Sequence, residues 1–242
     1  MLALRFLSWW LFVVCSPTVS PLPQASIEAH AGAACAERAG QSALVMSDGR
    51  LSTLNQTIMT RRPRVVVFIG HGDVHSSTSE RTLGLTDESG NLVRMQPDTI
   101  VDVLGGASDR LELLVLNGCK TESLCQAVSR KYRIPSCGWR TRTADLAAKV
   151  WSIALVESLV VRGSRPLSRS DVCAAYEQVP TAGGTWVPDP QVDSSGICYS
   201  DCGCGDGFCD RDGYVANDEQ SRCVACGAVL PNSKKRTEKP MI

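Results

Sequence analysis

Two residues in this chain have the type and the neighbours to attack a carbonyl carbon. His71 stands between Gly70 and Gly72, and Cys119 follows Asn117-Gly118 and precedes Lys120-Thr121. A thiolate is the nucleophile and a thiol is not, so such a cysteine needs an imidazole or a helix N-terminus to draw off its proton. Cys119 comes just before a helix expected to start near Thr121, whose dipole would favour the thiolate. Gly72 would let the N–H after the histidine approach a substrate oxygen, and with the Cys119 N–H it forms a candidate oxyanion hole. Each residue alone has a plain structural reading, the histidine as a bonded side chain in a strand-end turn and the cysteine as a small core residue. Together, behind two strand-like runs, they read as a base and a nucleophile.

Those runs are what must position them. Arg64 to Ile69 and Leu111 to Leu116 are short, rich in valine and leucine, and stopped by glycine. That is the pattern of strands buried on both faces of a parallel sheet. In open α/β sheets, function gathers beyond the carboxyl ends of the strands, where both residues fall. Between the runs, Leu83–Thr86 and Asn91–Met95 flank Asp87-Glu88-Ser89-Gly90, a hairpin with Gly90 at positive φ. Gln96-Pro97-Asp98 opens a helix with Ile100, Val103 and Leu104 on one face, stopped by Gly105-Gly106. After Cys119 a helix runs to Tyr132 with Leu124 and Val128 against the sheet, and a short strand leads from Pro135 to Gly138-Trp139. A helix from Thr143 to Val161 carries an expected stripe of Leu146, Val150, Ile153, Ala154 and Leu159. Ser168-Arg169-Ser170-Asp171 caps a last helix through Tyr176. Strands alternating with helices predict an α/β sandwich.

The stretch from Phe68 to Asp73, then Leu83-Gly84-Leu85 with Asp87 and Gly90, then Leu116 to Thr121, resembles a CHAT domain. Gly138-Trp139, Asp145, Ala147 and Gly163-Ser164 continue the resemblance, which covers roughly residues 60–178. That family belongs with the caspases and separases. Cys119 lies 48 positions after His71, and caspases place their histidine about 50 residues before the cysteine. The resemblance implies a caspase-like three-layer α/β/α sandwich with a mostly parallel sheet, a polypeptide substrate and no cofactor in the chemistry. Relatives are often controlled by attached repeats or a partner chain; no internal repeat is visible here, so a regulator would be a protein partner from outside or the terminal segments. Asp73 could orient His71, shape the substrate pocket or cap its loop. Trp139 reads as core or as a substrate contact, and Asp145 as a helix cap or a pocket residue. His75 reads as a loop histidine, and Cys125, Cys137 and Cys173 as inert core thiols. The family has more structured chain before its histidine than this reading finds, and Ala43-Leu44-Val45-Met46 is the candidate edge strand.

Lys plus Arg number 25 and Asp plus Glu 25, a formal net charge of zero, so no overall field steers the chain toward nucleic acid or an acidic membrane. One basic residue, Arg5, precedes the apolar run Phe6 to Val14. The run is too short to span a bilayer. It fits the apolar part of a secretory signal, though the prolines at 17, 21 and 23 crowd the cleavage region; a buried N-terminal strand or a mis-set start codon would read the same way. Residues 25–41, rich in alanine, read as a weak helix or linker. Asn55-Gln56-Thr57 is a glycosylation sequon that matters only for an exported chain. The expected location is cytoplasmic, with the secretory route open.

Twelve cysteines are present, six of them between Cys198 and Cys226. That clustering favours a local metal site or disulfide knot over a framework for the whole chain. Cys223-x-x-Cys226-Gly227 looks like a zinc knuckle, and Cys204, Cys209, Cys223 and Cys226 are the first-choice ligands of a structural zinc. Three disulfides, or an unstructured tail, are the other readings. The expected division is therefore a signal-like N-terminus and linker at 1–40, a peptidase domain at 41–179, a linker at 180–197, a cysteine-rich module at 198–230 and a polar tail at 231–242. The leading function is a cysteine endopeptidase with a His71–Cys119 dyad. The alternative is a catalytically silent scaffold that binds a partner through its cysteine-rich end.

Overall fold

Seven residues that are apolar on both sides make an interior strand. Trp9–Cys15, β1, is buried almost throughout, with Phe12, Val13 and Cys15 at 1 %, 0 % and 0 % exposure. The computed structural model describes residues 9–72, 74–75, 81–106, 109–139, 143, 145–161, 174–175, 197–200, 216–217 and 222–223. Within these, β1 pairs in parallel with β2 (Ser42–Met46) on one side and with β3 (Val65–Gly70) on the other. β3 pairs in parallel with β8 (Leu113–Asn117), and β8 with β9 (Ser136–Trp139). β10 (Ile197–Ser200) closes that edge antiparallel to β9, giving the order β10-β9-β8-β3-β1-β2. Three small antiparallel pairs accompany the sheet: β4 (Val74–His75) with β5 (Arg81–Thr82), β6 (Gly84–Thr86) with β7 (Leu92–Arg94), and β11 (Ala216–Asn217) with β12 (Arg222–Cys223).

Strand alternation divides the core into two layers. Trp10, Phe12, Val14, Val65, Val67, Ile69, Leu113 and Val115 face α1 (Ala25–Arg38) and α5 (Asp145–Val161). Leu11, Val13, Val66, Phe68, Leu114 and Leu116 face α2 (Leu51–Arg61), α3 (Pro97–Gly105) and α4 (Glu122–Tyr132). The result is a three-layer α/β/α sandwich with a mostly parallel sheet, as the sequence predicts.

Three expectations are corrected here. Of the apolar run that fits a signal, the described part, from Trp9 on, is a sheet strand, the buried-strand alternative, and its burial accounts for its hydrophobicity. Ala25–Arg38 is a full helix, so residues 9–38 belong to the sandwich that the sequence reading began at 41. Small residues make this helix possible: Ala29, Gly32, Ala33 and Ala36 are buried, and a methyl on Gly32 would come within 2.6 Å of the Phe12 ring. Close approach to the sheet replaces large apolar side chains as the source of burial. In α5 the predicted stripe is rotated. Ala147, Ala148, Trp151, Ser152, Leu155, Val156 and Leu159 are buried, while Leu146 is 38 % exposed. The helix is apolar nearly all round, so its own period selects no face; Trp151, edge-on to Trp139 at 5.2 Å, selects it.

α2 has no counterpart in the sequence reading, and the sequon lies in it, with Asn55 exposed. The hairpin, α3 and α4 appear where predicted, Gly90 at φ +78° and Pro97 in the first turn of α3. β2 is the edge strand proposed from Ala43–Met46. Among the described residues no helix is long and apolar enough to cross a membrane. The expected cap at 168–171 lies outside the described residues.

Candidate active site

β3 and β8 are neighbours in register, with Ile69 opposite Asn117. His71 and Cys119 each follow two residues later, from backbones about 4.8 Å apart. Glycine is required at this junction. The position of a Cβ on Gly72 lies 2.9 Å from the Cys119 nitrogen and overlaps its carbonyl oxygen, and a Cβ on Gly118 would lie 2.9 Å from the Gly72 nitrogen. Larger residues at either place would push the two turns apart. Among the described residues, the N–H groups of Gly72 and Cys119 donate to no other group.

The sheet order is that of a doubly wound fold, in which β2 lies to one side of β1 and the later parallel strands to the other. Ligand crevices open where the order reverses, here between the ends of β1 and β3. His71 reaches across that gap. Its Nε2 lies 2.7 Å from the carbonyl oxygen of Ser20, in the loop after β1. A carbonyl only accepts, so Nε2 carries the proton and Nδ1 keeps its lone pair. The loop is fastened at both ends. The Thr18 N–H donates to the Gly90 carbonyl at the hairpin turn, and the Gln24 N–H donates to Asp145 Oδ2 at the start of α5 (3.1 and 3.0 Å).

Cys119 is held from the opposite flank. The Thr143 N–H donates to its sulfur at 3.4 Å, and the thiol points to the Thr143 carbonyl at 3.6 Å. Among the described residues no hydrogen bond joins His71 to Cys119 directly. Lys120, next in sequence, takes the left-handed conformation at φ +51°, which costs a non-glycine residue about 1–3 kcal/mol. The buried Thr121 hydroxyl secures the turn. It donates to the Leu116 carbonyl at 2.9 Å and accepts the Trp139 N–H at 3.1 Å.

Beneath the turn, Asn117 is 3 % exposed. Its Nδ2 donates to Glu28 Oε1 (2.7 Å) and to the Ala148 carbonyl (3.0 Å), and its Oδ1 accepts from Trp139 Nε1 (2.6 Å). Glu28, on α1, is 2 % exposed, and its Oε2 has no hydrogen-bond partner among the described residues. Burial pushes the Glu28 carboxyl up to about 7, against the pull of the nearby Ser152 hydroxyl and the Asn117 amide.

The remaining sequence candidates separate clearly. Trp139 is fully buried, in keeping with the core reading of the two that the sequence offered. Asp145 sits in the first turn of α5, with Oδ2 engaged by Gln24. Asp73 lies outside the described residues, and of His75 only the strand placement is described. Cys204, Cys209 and Cys226 also lie outside them, and Cys223 is placed only as part of β12. Among the described residues no group of three or more potential ligands could hold a metal. Cys125 and Cys137 are buried in the core, as expected, and Cys173 lies outside the described residues. Ser20, Glu28 and Thr143 were not visible as site residues from sequence. Ser20 and Thr143 act through backbone atoms, which leave no side-chain signature, and Glu28 was a lone acid in an alanine-rich stretch.

Residues 12–130 match the CHAT domain family model. No curated protein matches the sequence. Among solved structures, a secreted C11 cysteine protease from Bacteroides thetaiotaomicron, bound to an irreversible peptide inhibitor, is similar with a TM-score of 0.57 at 11 % identity. That match covers 86 % of this chain and 70 % of the protease. A caspase-1 from Spodoptera frugiperda has a TM-score of 0.47 at 11 % identity, covering 80 % of this chain and 87 % of its own. A second structure of the Bacteroides C11 protease has 0.49 at 9 %, covering 88 % and 71 %. At such identities the likeness is one of fold, and the first of the three carries it. The family match starts inside β1, well before the residue 60 at which the sequence resemblance was first placed, and it ends inside α4, taking in both His71 and Cys119. Residues 12–130 thus match the CHAT domain model, and the α/β/α sandwich has the fold of the C11 cysteine protease.

Proposed function

We propose that the protein is a cysteine endopeptidase whose dyad is His71 and Cys119. The observation that carries this is the junction of β3 and β8: adjacent parallel strands in register deliver an imidazole and a thiol to backbones in contact through Gly72 and Gly118. His71 Nδ1 takes the proton from Cys119 Sγ, and the thiolate attacks the peptide carbonyl carbon. The N–H groups of Gly72 and Cys119 receive the oxyanion. The tetrahedral intermediate collapses to a thioester as the amine leaves with the proton from His71. Water then adds, giving a proton to His71, and the second collapse releases the acid and restores the thiol. Cys119 must leave Thr143 to engage His71; such bonds often tighten only with substrate in place.

That same separation favours the second reading, a silent scaffold working through its cysteine-rich end. A peptide-library cleavage profile decides between them. The endopeptidase predicts cleavage by the wild type and none by Cys119→Ala; equal profiles for the two overturn it. A peptide electrophile should label Cys119 far faster than the other cysteines, and uniform slow labelling favours the scaffold. For residues 198–230 the proposal is a structural zinc on Cys204, Cys209, Cys223 and Cys226. Elemental analysis should find about one zinc per chain, and metal-free protein refutes it.

A further inference from the structure

Among the described residues, Glu28 is the one buried ionisable group that touches the scaffold of both halves of the dyad. It lies on α1, one turn past Gln24, where the loop that holds His71 ends. Through Asn117 it grips the end of β8, two residues before Cys119. Asn117 in turn binds the Ala148 carbonyl of α5, the helix that begins just after Thr143, and Trp139 of β9. Four elements around the site therefore meet at one carboxyl–amide pair. A core held together only by packing would need neither polar group, and an orphaned buried oxygen is costly to keep.

We propose that Glu28, acting through Asn117, is a positioning residue that sets Cys119 against the loop holding His71. The proposal rests on the dyad reading above. Glu28 touches no substrate; it fixes where the β8 turn stands relative to α1. A small displacement of a reacting group is enough to cost about a hundredfold in rate. The protonated carboxyl suits this place, since it adds no charge to the core. Ionisation would put an anion beside Asn117 and Ser152, and the other charged groups facing it are Asp145 and Lys149 of α5. Ionisation would strengthen the bond that Asn117 donates but leave a charge buried opposite Asp145, and the cost of that burial changes how the β8 turn is held against α1.

The test uses the full-length chain with three variants: Glu28→Leu, which keeps the volume, Glu28→Gln, which keeps the neutral hydrogen bonds, and His71→Ala. Iodoacetamide alkylation of Cys119 is followed by mass spectrometry of its peptide from mildly acid to mildly alkaline pH, with thermal melts to confirm folding. Glu28→Leu should slow Cys119 alkylation at neutral pH by about tenfold or more, and Glu28→Gln should restore it. The wild-type rate profile should carry a break near 7 that the Gln variant lacks. A folded Leu variant with the wild-type rate overturns the proposal. If the Leu variant does not fold, a Gln profile superimposable on wild type overturns it instead. His71→Ala separates the two claims: if removing the imidazole leaves Cys119 reactivity unchanged, the dyad itself fails, whatever Glu28 does.

Discussion

The His71 imidazole donates its Nε2 proton to the main-chain carbonyl of Ser20 at 2.7 Å. In serine-protease triads an aspartate holds the histidine in one tautomer and stabilises the imidazolium. Here a neutral carbonyl does the orienting and adds no negative charge. Nδ1 is thereby left as the basic nitrogen. Nitrogen-15 spectra of the folded protein at alkaline pH should show His71 as the Nε2–H tautomer. Replacing His71 with alanine should lower kcat by about 10²–10⁴. A ring protonated at Nδ1 would leave no base facing the substrate, and the mechanism would fall.

Gly72→Ala tests the junction itself. The added methyl would overlap the Cys119 carbonyl oxygen and meet its nitrogen at 2.9 Å. Both obstacles are backbone, so no side-chain rotation relieves them. The variant should lose about 1–3 kcal/mol of stability and most of its activity, read by urea unfolding and by kcat/KM. Gly40→Ala is the comparison: Gly40, unlike Gly72, sits at positive φ, +75°, and nothing lies within 4 Å of the new methyl. It should be strained and still active. Equal activity for the two variants would show that the Gly72–Cys119 contact has no part in catalysis.

Val13→Asp tests whether β1 is integral. Val13 is 0 % exposed and flanked by strands on both sides. An unpaired carboxylate there should cost about 4 kcal/mol or more. The expected outcome is an insoluble or unfolded product, whereas Val19→Asp, at a residue 75 % exposed in the following loop, should behave as wild type. A Val13→Asp protein with an unchanged melt would remove β1 from the sheet.

Such residues show what the sequence could and could not reveal. β3 and β8 were legible because a doubly buried strand writes itself as an unbroken apolar run closed by glycine. β1 is written the same way, but at a chain start that pattern also describes a secretory signal, and only pairing partners tell the two apart. α1 was faint because its burial comes from closeness, with glycine and alanine against Phe12, and small residues leave no hydrophobic period. Trp151 chose the face of α5 through a tertiary contact with Trp139 that no local window contains. At the candidate site, the imidazole and the thiol were visible by type and spacing. The groups that hold them, the Ser20 carbonyl and the Thr143 backbone, have no residue-specific signature at all.

Glu28 makes the fold's response to pH predictable in sign. Its carboxyl is raised from 4.5 to about 7 in the folded protein, chiefly by burial. Between those values the native state keeps a proton that the unfolded chain has released. Stability therefore falls as pH rises through this window; it is fully present below about 4.5 and levels off above about 7. The shift corresponds to at most about 3 kcal/mol. Glu28→Gln cannot ionise, so its stability should lack this decline, and the gap between variant and wild type should widen from about pH 5 to about pH 7 and then stay constant. Urea midpoints measured at intervals across that range provide the check. Other titrating groups cancel in the difference, because the two proteins share them. Parallel curves would mean that Glu28 is already ionised in the native core, and the neutral clamp beneath Cys119 would have to be abandoned.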